Sequence, residues 1–492
     1  MRGWPNHPRI YEINTWAWIE ELSRQAGYEM TLATVSKEAW NALAELSMDA
    51  VWFMGVWERS PVGFGIALKN EGLQEEFRRI LPDYQTSDIT GSPYCVRRYV
   101  PDARLGGANG LAIARKELAK RGLSLILDYV PNHVAPDHPW VTEHPEYFIQ
   151  GDQKDLEKDP ASFMEVNDKI YACGRDPYFA AWQDVLQLNA FNKGLRQAAL
   201  EAVSSIAQQC DGIRCDMAML LMNDVFVRTW GDRAGSRPVT EFWPDLIKSV
   251  KKYLPDTLFM AEAYWDLEWE LLQQGFDYCY DKRLYDRLHS ENAESVRFHV
   301  QSDVSYQKRL VRFIENHDEQ RAAFIFSHDK ARVAAAVIAT LPGAKLFHEG
   351  QFEGRRVKLP VFLTRRPDEP VDHGLKAFYG KLLEAVNIQV IREGNWRLCE
   401  LSGWPDNATW MTLAAWFWQK GRDVCLIVVN LSETRAQARV RMTGVDLAGK
   451  TLLMRDLISN ELYERSGNEM AEIGLYVDLS GWAFHVLRFE SA

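Results

Sequence analysis

The 492-residue sequence predicts an α/β fold: a (β/α)8 barrel with a small domain inserted after its third strand and an antiparallel β-sandwich at its C-terminal end. Three observations predict it. Short apolar runs rich in Val, Ile, Leu and Phe recur through the first three quarters of the chain, most of them separated by amphipathic helical patterns, the alternation that builds parallel sheets. Eight such runs can be counted, the number a closed barrel wants. After roughly residue 390 the rhythm changes to strands with no helices between them.

The expected barrel strands are Arg9 to Asn14, Asp49 to Met54, Leu123 to Tyr129, Gly212 to Asp216, Leu258 to Glu262, Phe276 to Tyr280, Arg312 to Asn316 and Lys345 to His348. Between them Ser36 to Leu46, Asn109 to Arg121, Lys193 to Gln208, Trp243 to Tyr253 and Ala331 to Leu341 place Ala, Leu or Val at three- and four-residue steps, the spacing of a helix with one buried face. From His133 to about Asn189 the chain is rich in Pro, Asp and aromatics without a clear period, too long for an ordinary strand-to-helix loop, and reads as an inserted domain. Trp410 to Trp418, Val424 to Leu431, Ala438 to Met442 and Phe484 to Phe489 read as sandwich strands. The barrel is thus assigned to residues 1–133 and 190–390, the insertion to 134–189 and the sandwich to 391–492.

Composition narrows the partners. Fifty-seven Lys and Arg against 68 Asp and Glu give a formal charge of -11 with no basic run, which argues against nucleic acid and anionic membrane. Eighteen Trp and 18 Tyr exceed what core packing usually recruits and lean toward aromatic-lined clefts for flat faces such as sugar rings. Seven scattered Cys without a C-x-x-C pair argue against a disulfide framework or a Cys-based zinc site, and neither a signal-peptide stretch nor a membrane-length apolar run is present, so a reducing, cytoplasmic location is expected. No oligomeric state is read from the sequence.

Four acids fall at or beyond the C-terminal ends of expected strands: Asp128, Asp216, Glu262 and Asp318. Strand C-termini are where such barrels place their chemistry. One such Asp more often caps a helix or forms a turn. Four of them converging on one rim would repel one another unless cations, protons or a substrate justified them. His133 follows Asp128 by five residues, Arg214 precedes Asp216 by two, and His317 adjoins Asp318. A spacing of two along a strand points Arg214 and Asp216 to the same side, where a guanidinium would hold a carboxylate ionised and oriented as a nucleophile requires.

Taken in order, these segments resemble the alpha-amylase family of retaining glycoside hydrolases and transglycosylases, over nearly the whole chain. Asp128-Tyr129-Val130-Pro131-Asn132-His133 resembles its D-x-V-x-N-H motif, and Asp211-Gly212-Ile213-Arg214-Cys215-Asp216 its G-x-R-x-D segment. Ala261-Glu262-Ala263-Tyr264-Trp265 is similar to the acid/base segment, and Ile314-Glu315-Asn316-His317-Asp318 to the segment of the third acid. Ile10-Tyr11-Glu12-Ile13, Gly91-Ser92-Pro93-Tyr94, and Leu341-Pro342-Gly343 with Glu349-Gly350 agree. The resemblance implies Asp216 as nucleophile, Glu262 as general acid and then base, and Asp318 as the carboxylate that binds sugar hydroxyls and stabilises the transition state. It implies that His133, Arg214 and His317 grip the sugar at the cleaved bond and that Tyr94 stacks under it, with Asp128 and Asn132 structural beside them. The activity implied is hydrolysis of alpha-linked gluco-oligosaccharides without a cofactor. The chemistry independently asks for such parts, since an oxocarbenium-like state needs one carboxylate to attack and a second, protonated one to serve the leaving oxygen. Glu262 would need a raised pKa, which Tyr264 and Trp265 could supply by desolvation.

The chain also departs from the family pattern. Met219-Leu220 stand where many polysaccharide-cleaving members carry Lys-His, so contacts to the leaving group must differ. Gln187 stands where calcium-binding relatives tend to place an acid, and an amide lowers the charge a hard cation wants; Asn132 is left as either a candidate ligand or a residue that bonds only backbone, no required calcium is expected and no metal residue is assigned. The stretch from Trp57 to Thr90, with an amphipathic piece from Glu71 to Ile80, is long for a rim loop and, with Trp16 and Trp18, points to a cleft closed at one end and to short or chain-end substrates; a packing excursion is the competing account. Arg365-Arg366-Pro367-Asp368-Glu369-Pro370 is charge-dense and receives no role. Transfer to another sugar or to phosphate, a non-catalytic sugar-binding relative, and a barrel metalloenzyme with Asp and His ligands stay open beside hydrolysis.

Overall fold

The computed structural model describes residues 3–490. Eight strands close a barrel: β1 (Arg9–Asn14), β2 (Ala50–Met54), β3 (Ser124–Tyr129), β4 (Gly212–Cys215), β5 (Leu258–Ala261), β6 (Tyr278–Tyr280), β7 (Leu310–Arg312) and β8 (Ala344–His348). Each pairs with its sequence neighbours and β8 returns to β1. The strands are short and buried along their length because helices cover the outer face and side chains fill the inside, so they read as continuous apolar runs without alternation.

Most expected elements appear within a residue or two, and the exceptions have local causes. The seventh strand ends at Arg312, four residues before the expected Asn316. Phe313 and Ile314 are buried, which made the run look like strand. Beyond them the Asn316 side chain accepts from the backbone N–H groups of Asp318 and Glu319 at 2.9 and 2.8 Å, a turn that takes the chain out of the sheet. The helix expected from Ala331 begins at His328. The first sandwich strand starts at Leu413 rather than Trp410, because Thr409–Thr412 is a 3-10 turn tied down where Asn407 accepts from Thr409 N and Oγ1.

The insertion after β3 is a four-stranded sheet of His133–Val134, Trp182–Gln187, Lys169–Gly174 and Phe163–Val166 in that order. It has its own core of Val134, Val141, Phe148, Tyr171, Leu186, Leu188 and Leu195. The C-terminal region is a sandwich of a six-stranded and a three-stranded antiparallel sheet whose facing side chains include Phe417, Leu426, Val428, Val440 and Leu487. A helix over Gly467–Glu472, absent from the sequence reading, interrupts this all-strand region, its first turn capped by Ser466 accepting from Glu469 N.

The chain forms two compact units. One is mainly Tyr11–Tyr280 with Lys358–Asp368, and the other contains Asp281–Val357 and the chain from Glu369 onward. Within the first, the long stretch after Trp57 folds into helices Pro61–Lys69 and Glu71–Ile80, and Phe77 packs on Ile89 and Leu363. The charge-dense segment is an ion-paired strap: Arg365 meets Asp83 at 3.2 Å and Asp88 at 2.9 Å, Arg366 meets Glu21 at 3.5 Å and Asp368 meets Arg24 at 3.0 Å. Trp18 is a core residue between Trp40 and Phe53, with ring centroids 5.5 and 5.7 Å away. All seven cysteines are buried. Among the described residues no helix is long and apolar enough to cross a membrane.

Candidate active site

Parallel register assembles the acids. Arg214 on β4 lies beside Asp128 on β3 and Met260 on β5. The ladder then runs one step past the strand ends, with Asp216 N donating to Tyr129 O at 2.8 Å and Glu262 N donating to Cys215 O at 3.0 Å. Asp216 and Glu262 are therefore the first residues beyond adjacent strands. Between them sits Arg214, fully buried. Its Nη1 donates to Asp216 Oδ1 at 2.8 Å and lies 3.6 Å from Asp128 Oδ1, while Nη2 lies 2.7 Å from Glu262 Oε2. One guanidinium thus serves three carboxyl groups. Three aromatic faces surround it, Trp52, Tyr94 and Tyr280, at 5.1, 5.4 and 5.7 Å from its central carbon. Burial alone would push this guanidinium down, but Glu262, the two phenols and Asp216 carry it well above its ordinary value, so it is a permanent cation.

Glu262 is held by donors on both oxygens. Oε2 accepts from the backbone N–H of Met217 at 2.7 Å, and Oε1 accepts from the Tyr264 hydroxyl at 2.8 Å. Met217 reaches this position in the left-handed region, φ 41°, where a non-glycine residue is strained. Asp128 is fixed from below, Oδ2 accepting from Gly55 N at 3.1 Å. Gly55 has φ 77°, and a Cβ there would come within 2.8 Å of Arg59 Nη2 and 2.9 Å of Pro93 Cβ, so only glycine fits.

His133 opens the insertion. Burial pushes its imidazole down to about 3 against a hydrogen bond with the Tyr94 backbone, which joins it to the loop under Arg214. His138 is likewise held down, to about 3, by burial and by Arg97 and Arg98. Both rings are neutral in the folded chain, while the unfolded chain takes up protons on them below about 6.5. Their contribution to stability is complete above that pH and is lost as pH falls toward 3, at about 1.4 kcal/mol per unit for each ring. Replacing His138 with Gln is expected to flatten the fall in thermal midpoint between pH 7 and pH ~4.5; an unchanged slope would remove it from the account.

Asn132 and Gln187, at 1% and 0% exposure, form a reciprocal amide pair. Gln187 Nε2 lies 2.9 Å from Asn132 Oδ1 and 3.0 Å from the carbonyl oxygens of Asn132 and Leu188, while its Oε1 accepts from Asn132 Nδ2 at 3.1 Å. The Gln187 amide nitrogen thus faces the side-chain and carbonyl oxygens of Asn132 and the carbonyl oxygen of Leu188. Among the described residues no group of three or more His, Cys, Asp or Glu is placed to hold a metal ion.

The second unit carries the remaining two expected residues. His317 Nε2 lies 2.9 Å from Asp318 Oδ2, with His317 buried and the Asp318 side chain 45% exposed. The turn that presents them is braced by Glu315, whose Oε1 takes Arg321 Nη1 at 2.6 Å and whose Oε2 accepts from Ala322 N at 2.7 Å. Arg321 in turn donates to Glu349 O at 2.8 Å.

The profile of the alpha amylase catalytic domain matches residues 41–420. The chain belongs to the alpha-amylase family. It is 28% identical over 280 residues to the alpha-amylase of Haloarcula japonica, covering 55% of this chain and 37% of that protein. It is 28% identical over 185 residues to an alpha-1,4-glucan:maltose-1-phosphate maltosyltransferase of Rhodospirillum rubrum, 36% of this chain and 22% of that one. The chain thus matches well under half the length of either. A maltogenic alpha-amylase from Thermotoga neapolitana superposes with a TM-score of 0.69 at 17% identity, covering 99% of both chains, a likeness of fold.

Within this family the chain's departures acquire structural reasons. Met219 and Leu220 are buried in the 3-10 turn Ala218–Leu221. Trp16 is 8% exposed; its Nε1 donates to Gly55 O at 2.9 Å and its ring carries Arg104 at 4.5 Å. Sequence reasoning missed Trp52 and Tyr280 around Arg214, and the Tyr264 hydroxyl bond. Trp52 and Tyr280 sit inside strands, where their aromatic character signals only core.

Proposed function

We propose that the protein is a retaining alpha-glycosidase acting on alpha-linked gluco-oligosaccharides, with Asp216 as nucleophile, Glu262 as acid and then base, and Asp318 as the carboxylate that steadies the sugar hydroxyls. The observation that carries this reading is the single buried guanidinium of Arg214 holding Asp216 and Glu262 on two of its nitrogens, at 2.8 and 2.7 Å. Carboxylates so bridged suit the separation of about 5 to 5.5 Å used for double displacement. Asp216 attacks the anomeric carbon as the glycosidic C–O bond breaks, and the leaving oxygen takes a proton from Glu262. Water then gives its proton to Glu262 and its oxygen to the anomeric carbon as the bond to Asp216 breaks. Two inversions give net retention. Tyr94 offers a flat face to the sugar, and His133, Arg214 and His317 supply the donors around its hydroxyls.

Similarity to a maltosyltransferase favours a second outcome for the same intermediate, capture by a sugar or phosphate in place of water. Proton NMR on maltoheptaose tests both. New alpha-anomeric reducing ends that appear before mutarotation support the hydrolase, longer or phosphorylated products the transferase, and first-formed beta ends would overturn retention.

Calcium takes no part in this reading, because the amide pair of Asn132 and Gln187 bonds to itself. Incubation with EDTA is expected to leave the thermal midpoint where it was. A fall of several degrees, restored by calcium, would refute this. The buried thiols support a reducing, cytoplasmic setting.

A further inference from the structure

We infer that Tyr264 is a positioning residue for proton transfer, its hydroxyl reversing its hydrogen bond with Glu262 between the two halves of the reaction; this rests on the reading of Glu262 given above. The argument starts from which groups can only donate. Glu262 is 2% exposed, and Oε2 receives the Met217 N–H at 2.7 Å and faces Arg214 Nη2 at 2.7 Å. A backbone N–H and a guanidinium have no lone pair to accept with. A proton on Oε2 would displace the Met217 N–H bond or crowd the guanidinium 2.7 Å away, and neither group can accept it. The proton that serves the leaving oxygen must therefore be carried on Oε1, where the facing group is the Tyr264 hydroxyl at 2.8 Å. A phenol both donates and accepts. Toward the ionised carboxylate it donates, and toward the protonated one it can turn and accept, keeping the acid's O–H directed while no substrate oxygen is present.

The backbone supports the placement. Tyr264 is followed by two successive non-glycine residues in the left-handed region, Trp265 at φ 64° and Asp266 at φ 62°, and the Trp265 ring packs on Tyr178 with centroids 4.8 Å apart. Strain of this kind persists where the surroundings impose it. Together with Met217 it brackets Glu262 with two strained segments, each delivering one donor to one carboxyl oxygen. The proton count is unchanged by the phenol: in the first step Oε1 gives its proton to the leaving oxygen as the C–O bond breaks and the bond to Asp216 forms, and in the second Oε1 takes one from water. The Tyr264 proton stays on its own oxygen.

Leaving groups that need no proton separate this role from mere packing. Tyr264→Phe removes only the hydroxyl. On maltose or maltotriose its kcat/KM is expected to fall about 10- to 100-fold, a part of the ~10²- to 10⁴-fold that general acid catalysis supplies. On alpha-glucosyl fluoride, whose leaving group departs unprotonated, kcat/KM is expected to stay within about twofold of wild type. Equal losses on both substrates would mark Tyr264 as structural and overturn the proposal, as would wild-type values on both. Glu262→Gln, run beside it, tests the underlying reading: it should lose maltose, while on the fluoride it should keep the first step, releasing one equivalent of fluoride in a burst, and then stall at the glycosyl ester whose hydrolysis needs the base. Retained turnover of maltose by Glu262→Gln would remove Glu262 itself, whereas the expected pattern for Glu262→Gln with an unchanged Tyr264→Phe removes only the tyrosine.

Discussion

Asp216→Asn is expected to lower turnover of maltooligosaccharides by about 10⁴-fold or more, because on the proposed reading it removes the nucleophile and leaves nearly everything else in place. Asn matches Asp in volume, and its carbonyl oxygen can keep the 2.8 Å bond from Arg214 Nη1. The amide nitrogen must then turn away, since facing it to a guanidinium would oppose donor to donor. What remains on the attacking side is a neutral amide that cannot form the glycosyl ester. The thermal midpoint should move by only a few degrees, because the lost carboxylate was one of three around a single cation. Rescue supplies the second readout. Asp216→Gly with added azide should release beta-glucosyl azide from an alpha-glucoside, since the small anion enters the space of the carboxylate and inverts the centre once. An Asp216→Asn enzyme with more than about a tenth of wild-type kcat would place the nucleophile elsewhere.

How much of this was legible in the sequence depends on what each residue's neighbours are. β1 was readable to the residue, Arg9–Asn14, because a buried strand followed directly by an Asn-capped helix changes period abruptly. The seventh strand was not: Phe313 and Ile314 continue the apolar run while the Asn316 turn and the Glu315–Arg321 pair have already redirected the chain. Strand-end position announced Asp128, Asp216 and Glu262, and parity announced the Arg214–Asp216 pair, since both follow from local geometry. The second role of Arg214, its contact with Glu262, arises between strands and leaves no mark in either segment alone. Tyr264 showed the same limit. Its aromatic ring suggested desolvation of Glu262, whereas the fold uses its hydroxyl as a hydrogen-bond donor. Gln187 was legible as an amide where calcium-binding relatives tend to place an acid, but only the fold shows it turned onto the oxygens of Asn132 and Leu188.

Arg214→Leu is expected to lower both stability and activity, and the comparison with Arg214→Lys separates the two. Removing the guanidinium leaves Asp128, Asp216 and Glu262, each at most 6% exposed, without their shared cation. Breaking a buried ion pair by deleting one partner costs about 3 to 5 kcal/mol, chiefly because the other charge stays buried and uncompensated. Lysine restores the charge but as a single point, and it cannot hold Asp216 and Glu262 on separate nitrogens as Nη1 and Nη2 do. The lysine variant should therefore recover much of the thermal midpoint yet remain at least about 100-fold down in kcat/KM, since precise placement of reacting groups is worth that much on its own. If the cost of Arg214→Leu is electrostatic, adding Asp216→Asn and Glu262→Gln should return part of the stability, a coupling that independent sites would not show. Strict additivity of the three changes would mean that Arg214 acts by filling the space between Trp52, Tyr94 and Tyr280, and the guanidinium would then lose its place as the group that organises the two reacting carboxylates.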